Sequence, residues 1–140
     1  MRLTPGRDGR ERGSMTAEMV LFAPILLFFL ILLVGAGRLV QAQGEVHGAA
    51  RDAARAASVQ RTLEDAEDAA EQAARAALDG ACEGGPKLDF TGTEWAEGGS
   101  VRAVVTCEIS LDPVAFLGFS ASREMAGVAV APLERFRRIE

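Results

Sequence analysis

The feature that most constrains this chain is an uncharged, apolar run of 19 residues from Met19 to Gly37. As an α-helix rising about 1.5 Å per residue, the run would extend roughly 28 Å, close to the hydrocarbon thickness of a bilayer. Its apolar residues lie all round the helix, which is typical of lipid contact rather than of packing on a soluble core. Pro24 removes one backbone donor, so a bend is expected there. The run therefore predicts a transmembrane helix.

The charges on the two sides of this run differ in sign. Residues 1–13 carry a net charge of +2, whereas residues 38–140 carry 11 Lys and Arg against 17 Asp and Glu. Because basic flanks stay in the cytoplasm, we expect a cytoplasmic N-terminus and an extracytoplasmic C-terminal part, whose acidity argues against nucleic acid as a partner. The sequence predicts three parts: a basic, disordered leader over 1–13, a transmembrane helix over 14–37, and a domain over 38–140.

Glu18 stands at the entry to the apolar run. A carboxylate is costly there unless it is paired, neutralised or at headgroup level, so Glu18 is either a functional residue or a residue at the water boundary. If the chain were cut after Gly13, the new α-amino group would belong to Ser14. On a helix, the Glu18 carboxylate four residues further on would face the same side as that amine, of its own or a neighbouring subunit.

The segment Arg12-Gly13-Ser14-Met15-Thr16-Ala17-Glu18, followed by an apolar helix, resembles the class III prepilin signal. With Pro24 inside the span and an Ala-rich stretch over 48–57, residues 10–60 resemble TadE/TadG-type pseudopilins of the tight-adherence (Flp) pilus. The resemblance implies a prepilin peptidase that cleaves between Gly13 and Ser14, and Glu18 as a carboxylate that guides assembly. It also implies other pilin or pseudopilin subunits and the pilus assembly platform as partners. Ser14 departs from the aromatic first residue that pilins often carry.

Two Ala-rich helices are predicted after the span. No Pro or turn signal interrupts residues 38–58, so the first helix should continue to Ser58 and present a smooth face of Val46, Ala49, Ala50, Ala53, Ala54 and Ala57. That face could pack on the protein's own second helix or in a pilus-like bundle. The second helix is predicted over 63–78, with Thr62 as its N-cap and Gly80 as its stop. Its predicted buried face is Leu63, Ala66, Ala69, Ala70, Ala73, Ala74, Ala77 and Leu78.

From Lys87 the hydrophobic period changes to two. Apolar residues alternate with polar ones around Leu88 and Phe90 and again from Val101 to Leu111, and Gly98-Gly99 marks a turn between them, which predicts a hairpin. A third strand is expected at about 122–131. The apolar connection over 113–119 could be part of the core or an exposed patch. The predicted fold class is α+β: a transmembrane helix extended into an Ala-rich helix, a second Ala-rich helix, and a small antiparallel sheet of about three strands.

Cys82 and Cys107 are the two cysteines of the chain. In an oxidising exported domain they are expected to form a disulfide, worth about 3 kcal/mol in the chain-entropy model; two buried thiols would be the interpretation if the topology were reversed. Two cysteines and His47, the single histidine, are too few for a structural zinc site. The sequence contains no serine–histidine–carboxylate set and no Gly-rich phosphate loop. We predict neither an enzyme nor a cofactor.

Three functions fit these features. The first is a TadE-like minor pseudopilin, a membrane-anchored structural and assembly component of a tight-adherence pilus or related secretion machine. The second is an uncleaved bitopic membrane protein whose exported domain is a binding module in the cell envelope. The third is a secreted protein with a signal peptide cut near Ala36, for which the apolar run is long and Glu18 is badly placed.

Overall fold

The computed structural model describes residues 11–110 and 122–134 of the 140-residue chain. It contains two helices, α1 (Glu11–Ser58) and α2 (Leu63–Ala77), and three strands, β1 (Lys87–Asp89), β2 (Ser100–Ser110) and β3 (Ser122–Pro132). The predicted α+β fold, with a long apolar N-terminal helix, a second helix and a three-stranded antiparallel sheet, is confirmed. The predictions for residues 1–10 and for the connection over 113–119 concern parts of the chain outside the described residues.

Helix α1 begins at Glu11 and continues through Pro24. Disorder was expected up to residue 13, and for residues 11–13 that prediction is wrong. The physical reason is that extending an existing helix forms one hydrogen bond for each residue fixed, so a helix nucleated by the apolar run can propagate backwards by a turn. The bend at Pro24 stays a prediction.

The contacts within the chain divide it into two compact units, Met1–Gly37 and Arg38–Glu140. The described part of the first unit is the beginning of α1, and the second contains the rest of α1, α2 and the sheet. The assignment of 1–13 as a leader, 14–37 as a transmembrane helix and 38–140 as an extracytoplasmic domain stays a prediction, because it concerns membrane placement and processing.

The core of the second unit is built largely from alanines. All six residues of the predicted smooth face of α1 are at most 1% exposed, and they form one buried cluster with Ala66, Ala70, Ala74 and Leu78. The i, i+4 spacing of this second set places it along one stripe of α2. Leu63 is exposed, contrary to prediction, because it precedes Ala66, the first covered residue of the helix. Ala77 is exposed as well, because the covered stripe runs through Ala74 and Leu78 and leaves Ala77 beside it.

Helix α2 begins directly after the predicted N-cap residue, Thr62. Thr62 has an extended backbone and its side-chain oxygen accepts a hydrogen bond from the backbone N–H of Asp65 at 3.1 Å. Thr62 Oγ1 also donates to Asp65 Oδ2 at 2.7 Å. One orphan backbone N–H of the first turn, that of Asp65, is thus engaged. The helix ends at Ala77, and Gly80 follows with a φ of 71°.

The sheet has the strand order β1-β2-β3, with both pairs antiparallel. Alternate residues of β2 point inward: Val101, Ala103, Val105 and Cys107 are each at most 1% exposed. Their partners on β3 are Ala131, Ala129, Gly127 and Met125. The other face of β3 carries Val128 and Val130, which remain exposed. The period-two pattern therefore identified the face that the sheet buries.

Strand β1 ends at Asp89, although apolar and polar residues alternate as far as Thr91 and suggested a longer strand. Its last residue, Asp89, accepts hydrogen bonds at one carboxylate oxygen from both the backbone N–H of Thr91, at 3.0 Å, and the Thr91 hydroxyl, at 2.6 Å. A side chain that bonds the backbone two residues later favours a turn over a continuing strand. The chain then crosses a loop over 90–99 before β2 begins.

Strand β3 lies unusually close to helix α1 at Gly127. A Cβ placed on Gly127 would be 2.6 Å from the carbonyl oxygen of Val46 and 2.9 Å from the Cα of His47. Next to this contact, Gln43 Nε2 donates a hydrogen bond to the carbonyl oxygen of Ala126 at 3.1 Å. The absence of a side chain at Gly127 is thus what lets the strand backbone approach the helix backbone.

Candidate functional site

The two residues of the predicted cleavage site lie near the beginning of α1. Gly13 and Ser14 are the third and fourth residues of the helix. The backbone N–H groups of the first four helical residues have no partner within their helix. The backbone around the peptide bond between Gly13 and Ser14 is helical, so this first turn would have to open for a peptidase to bind it in an extended form. Opening the turn breaks few hydrogen bonds.

Glu18 lies in the same part of α1 and its side chain is exposed. Within residues 11–110 and 122–134 its carboxylate makes no hydrogen bond or ion pair with the chain itself. It immediately precedes large apolar side chains, which from Met19 to Leu30 are between 53% and 74% exposed. A carboxylate beside such a surface needs a partner from outside the chain, whether water, a lipid headgroup or another subunit.

The apolar part of α1 is long enough to cross a membrane. The helical stretch Thr16–Ser58 contains the apolar window, and none of that window is buried within the chain. Exposed apolar patches on soluble monomers rarely exceed a few hundred Å². The uncovered surface around this helix therefore requires lipid or neighbouring helices, and it supports a membrane protein with one such helix in the described part of the chain.

Cys82 and Cys107 form the disulfide that the sequence predicted. Their sulfur atoms are 2.01 Å apart and their Cα atoms 5.3 Å apart. Cys107 is buried on the inner face of β2, whereas Cys82 is half-buried in the turn after α2. Close to the bridge, the backbone N–H of Glu83 donates to the carbonyl oxygen of Glu108 at 2.8 Å. The bond and this contact fix the turn after α2 against the middle strand.

A groove that the sequence did not predict lies between α2 and β1. Its volume is about 760 Å³, and its lining includes Leu63, Glu67, Asp68, Glu71, Leu88, Asp89, Phe90 and Trp95. The pKa of the Asp89 carboxyl is lowered, chiefly because the Thr91 hydroxyl donates to it, with a further contribution from the Thr91 backbone N–H. The aromatic residues could have been noticed in the sequence, but their meeting with the acidic face of α2 depends on the fold.

The described residues contain no group of three or more His, Cys, Asp or Glu side chains placed to hold a metal ion. Gly13, Ser14 and Glu18 share one short stretch of α1, whereas Cys82 and Cys107 belong to the second unit. The predicted site residues are therefore two separate groups, one at the start of the apolar helix and one in the fold of the C-terminal unit.

The comparisons with known proteins bear on the first of these groups. Residues 13–55 match the family model described as TadE-like protein. No curated protein and no solved structure matches the chain. The match begins at Gly13, covers the apolar helix and extends into the Ala-rich face, and it supports a membrane component associated with the tight-adherence pilus. The resemblance of this chain to the TadE-like family is thereby confirmed over residues 13–55.

Proposed function

We propose that the protein is a TadE-like minor pseudopilin, a membrane-anchored structural and assembly component of a tight-adherence pilus or a related secretion machine. The observation that carries the proposal is the uncovered apolar helix with Glu18 at its entry and no partner for that carboxylate among the described residues. Pseudopilins meet one another through such helices, so both the apolar surface and the carboxylate would be satisfied by assembly.

A prepilin peptidase cleaves the bond between Gly13 and Ser14 in this proposal. The position of the bond in the first turn of α1 supports this, because the turn can open without disrupting the rest of the helix. Gly13 has no side chain that could shield the scissile carbonyl from the enzyme. Cleavage creates an α-amino group on Ser14.

Glu18 then pairs with the α-amino group of Ser14 in a neighbouring subunit. The two groups lie on adjacent turns of the helix, so one subunit can present its carboxylate where the next presents its amine. At the headgroup boundary the effective dielectric constant is lower than in water, and the pair is worth more than an exposed surface pair. This pairing would set the axial register at which subunits dock.

The N-terminus is cytoplasmic and the second unit extracytoplasmic in the proposed topology. The Cys82–Cys107 disulfide supports this orientation, because disulfides persist in oxidising compartments and are rare in the cytosol. The excess of Arg before the apolar helix supports it independently. The partners are the membrane, the prepilin peptidase, other pilin or pseudopilin subunits and the assembly platform.

The first experiment identifies the N-terminal residue of the membrane-extracted protein. Ser14 is expected for the wild type, and a Gly13→Leu variant should accumulate uncut because its bulk blocks access to the bond. Gly9→Leu, a change to another leader glycine, is the matched control and should be processed normally. If wild type and Gly13→Leu have the same mature mass, the peptidase is not acting at this bond.

The second experiment separates assembly from processing. Glu18→Val should leave membrane insertion and cleavage intact while abolishing surface assembly, and Glu18→Asp should be intermediate because its side chain is shorter. Glu45→Val, at another exposed acidic position of α1, is the control. Normal assembly of Glu18→Val would mean that Glu18 is only a residue at the water boundary.

A second candidate function is an uncleaved bitopic membrane protein with an exported binding module. The groove of about 760 Å³ between α2 and β1 favours it, because a concave site with aromatic and acidic residues is suited to a ligand. The same N-terminal determination discriminates the two candidates. Met1 at the N-terminus of the mature protein would favour the binding module, and a start near Gly37 would indicate secretion.

A further inference from the structure

The groove between α2 and β1 combines an apolar floor with an acidic rim. Leu88, Phe90 and Trp95 are half-buried against the core and form part of the lining. Carboxylates stand on both walls: Glu67, Asp68 and Glu71 on α2, and Asp89 at the end of β1. Lys87 is the one basic residue among the lining residues, and the groove is accordingly negative in sum.

This combination selects a particular chemistry. Arg guanidinium groups stack on aromatic rings and bind carboxylates in a bidentate manner, so an Arg-bearing segment suits a groove with two aromatic residues and several carboxylates. Glu71 already forms an ion pair with Arg75 of the same helix, which leaves Glu67, Asp68 and Asp89 for such a segment. A further sign is the indole N–H of Trp95, which is buried and has no hydrogen-bond acceptor among the described residues. Buried donors are nearly always paired, and a peptide carbonyl would satisfy this one.

The position at which the described chain ends indicates the occupant. The backbone N–H of Leu133 donates to the carbonyl oxygen of Gly99 at 2.9 Å, and Gly99 closes the same loop that carries Trp95. Leu133 is itself 4% exposed, so this exit point is anchored in the core. The chain after Glu134 therefore starts beside the groove.

The sequence that follows is complementary to the groove. Residues 135–140 read Arg-Phe-Arg-Arg-Ile-Glu, three basic residues against one acidic. At about 3.3–3.6 Å per residue, six residues can reach roughly 20 Å, which is long enough to follow the groove away from its Trp95 end. We propose that residues 135–140 of the same chain bind in the groove between α2 and β1, with their arginines on its carboxylates and aromatic floor.

The proposal does not depend on the pilus function, and one spectroscopic signal tests it. Trp95 is the single tryptophan and the chain has no tyrosine, so the intrinsic emission of the full chain in detergent micelles reports this groove. The test variant is Arg135→Gln/Arg137→Gln/Arg138→Gln. We expect a red-shifted Trp95 emission and stronger quenching by acrylamide, because the covering segment is released.

The matched control neutralises three exposed arginines outside the groove, Arg51→Gln/Arg55→Gln/Arg61→Gln, and changes the net charge equally. It should leave the emission and the quenching of Trp95 as in the wild type. Equal quenching in the wild type and the test variant, or an equal rise in the test and control variants, would overturn the proposal.

The groove side is tested by Glu67→Gln/Asp68→Asn, with Glu64→Gln/Asp79→Asn as its control at exposed positions outside the lining. The groove variant should increase quenching as the arginine variant does, and combining the two should add little, because both remove the same interaction. Fully additive effects would refute a direct contact. Wild-type quenching that falls as protein concentration rises would assign the groove to a second copy of the chain and likewise overturn the proposal.

Discussion

Replacing either of two glycines by alanine should change the free energy of unfolding of the second unit in opposite directions. At Gly127 the new Cβ would stand 2.6 Å from the carbonyl oxygen of Val46, whereas ordinary contact begins at 3.4 Å. Strand and helix would have to separate by about 0.8 Å, an overpacking defect of a kind that typically costs 1–3 kcal/mol. Because both opposing groups are backbone, no side chain can rotate away to relieve it.

At Gly48, the first residue of the Ala-rich stretch of α1, a Cβ would meet nothing within 4 Å. Ala has a higher helix propensity than Gly, so Gly48→Ala should stabilise the unit by about 0.5–1 kcal/mol. The two variants add the same methyl group. They therefore separate the effect of a steric clash from the effect of the glycine-to-alanine change itself.

The assay is urea unfolding of the full chain in detergent micelles, followed by the emission of Trp95 in the second unit. The midpoint should fall for Gly127→Ala and rise for Gly48→Ala with unchanged slope. In a thermal scan, a loss of 1 kcal/mol should lower Tm by about 4–8 °C for a unit of this size. If Gly127→Ala unfolds at the wild-type midpoint, the close approach of β3 to α1 is wrong.

Three further perturbations test local features of the second unit. Thr62→Ala should cost about 0.5–2 kcal/mol in urea unfolding because it removes the N-cap of α2, and Thr62→Ser should restore most of it. Thr91→Val should raise the pKa of Asp89 in a carboxyl NMR titration, since the main donor is lost, whereas Thr91→Ser should not. Because the pKa of Asp89 is lowered by folding, its stabilising contribution is present at neutral pH and is lost as pH falls through the folded-state pKa. Cys82→Ala/Cys107→Ala should destabilise by about 2–5 kcal/mol, measured against the wild type with and without a reductant; an unchanged midpoint would contradict the bridge.

Helical and strand periodicity predicted the buried faces of the second unit well. The smooth face of α1 is buried at all six positions, and the inward side of β2 follows the alternation from Val101 to Cys107. These features are local consequences of the 3.6- and 2-residue periods, which is why the sequence alone could reveal them. The same reasoning failed at Leu63 and Ala77, because periodicity outlines a face but does not show which part of that face another element covers.

Features that depend on which segments meet could not be predicted in this way. Gly127 has no turn signal around it, and its role appears only when β3 is placed against Val46. The groove likewise requires the acidic side of α2 to face Phe90 and Trp95, and acidic residues on a helix are more often simply solvated. The strand β1 ended early because the Asp89 side chain competes for backbone donors, an effect that hydrophobic alternation does not include.

The Cys82–Cys107 bond also determines how the second unit would carry a mechanical load. A chain pulled between α1 and β3 would transmit tension through the sulfur atoms, because the bond spans 25 residues of sequence with Cα atoms only 5.3 Å apart. The bypassed segment, including β1 and Trp95, would bear no force even after the rest of the unit had unravelled. At about 3.3–3.6 Å per residue, the bond removes roughly 80 Å from the length that stretching can release. The second unit would therefore lengthen less under a given pulling force when the bond is oxidised than when it is reduced.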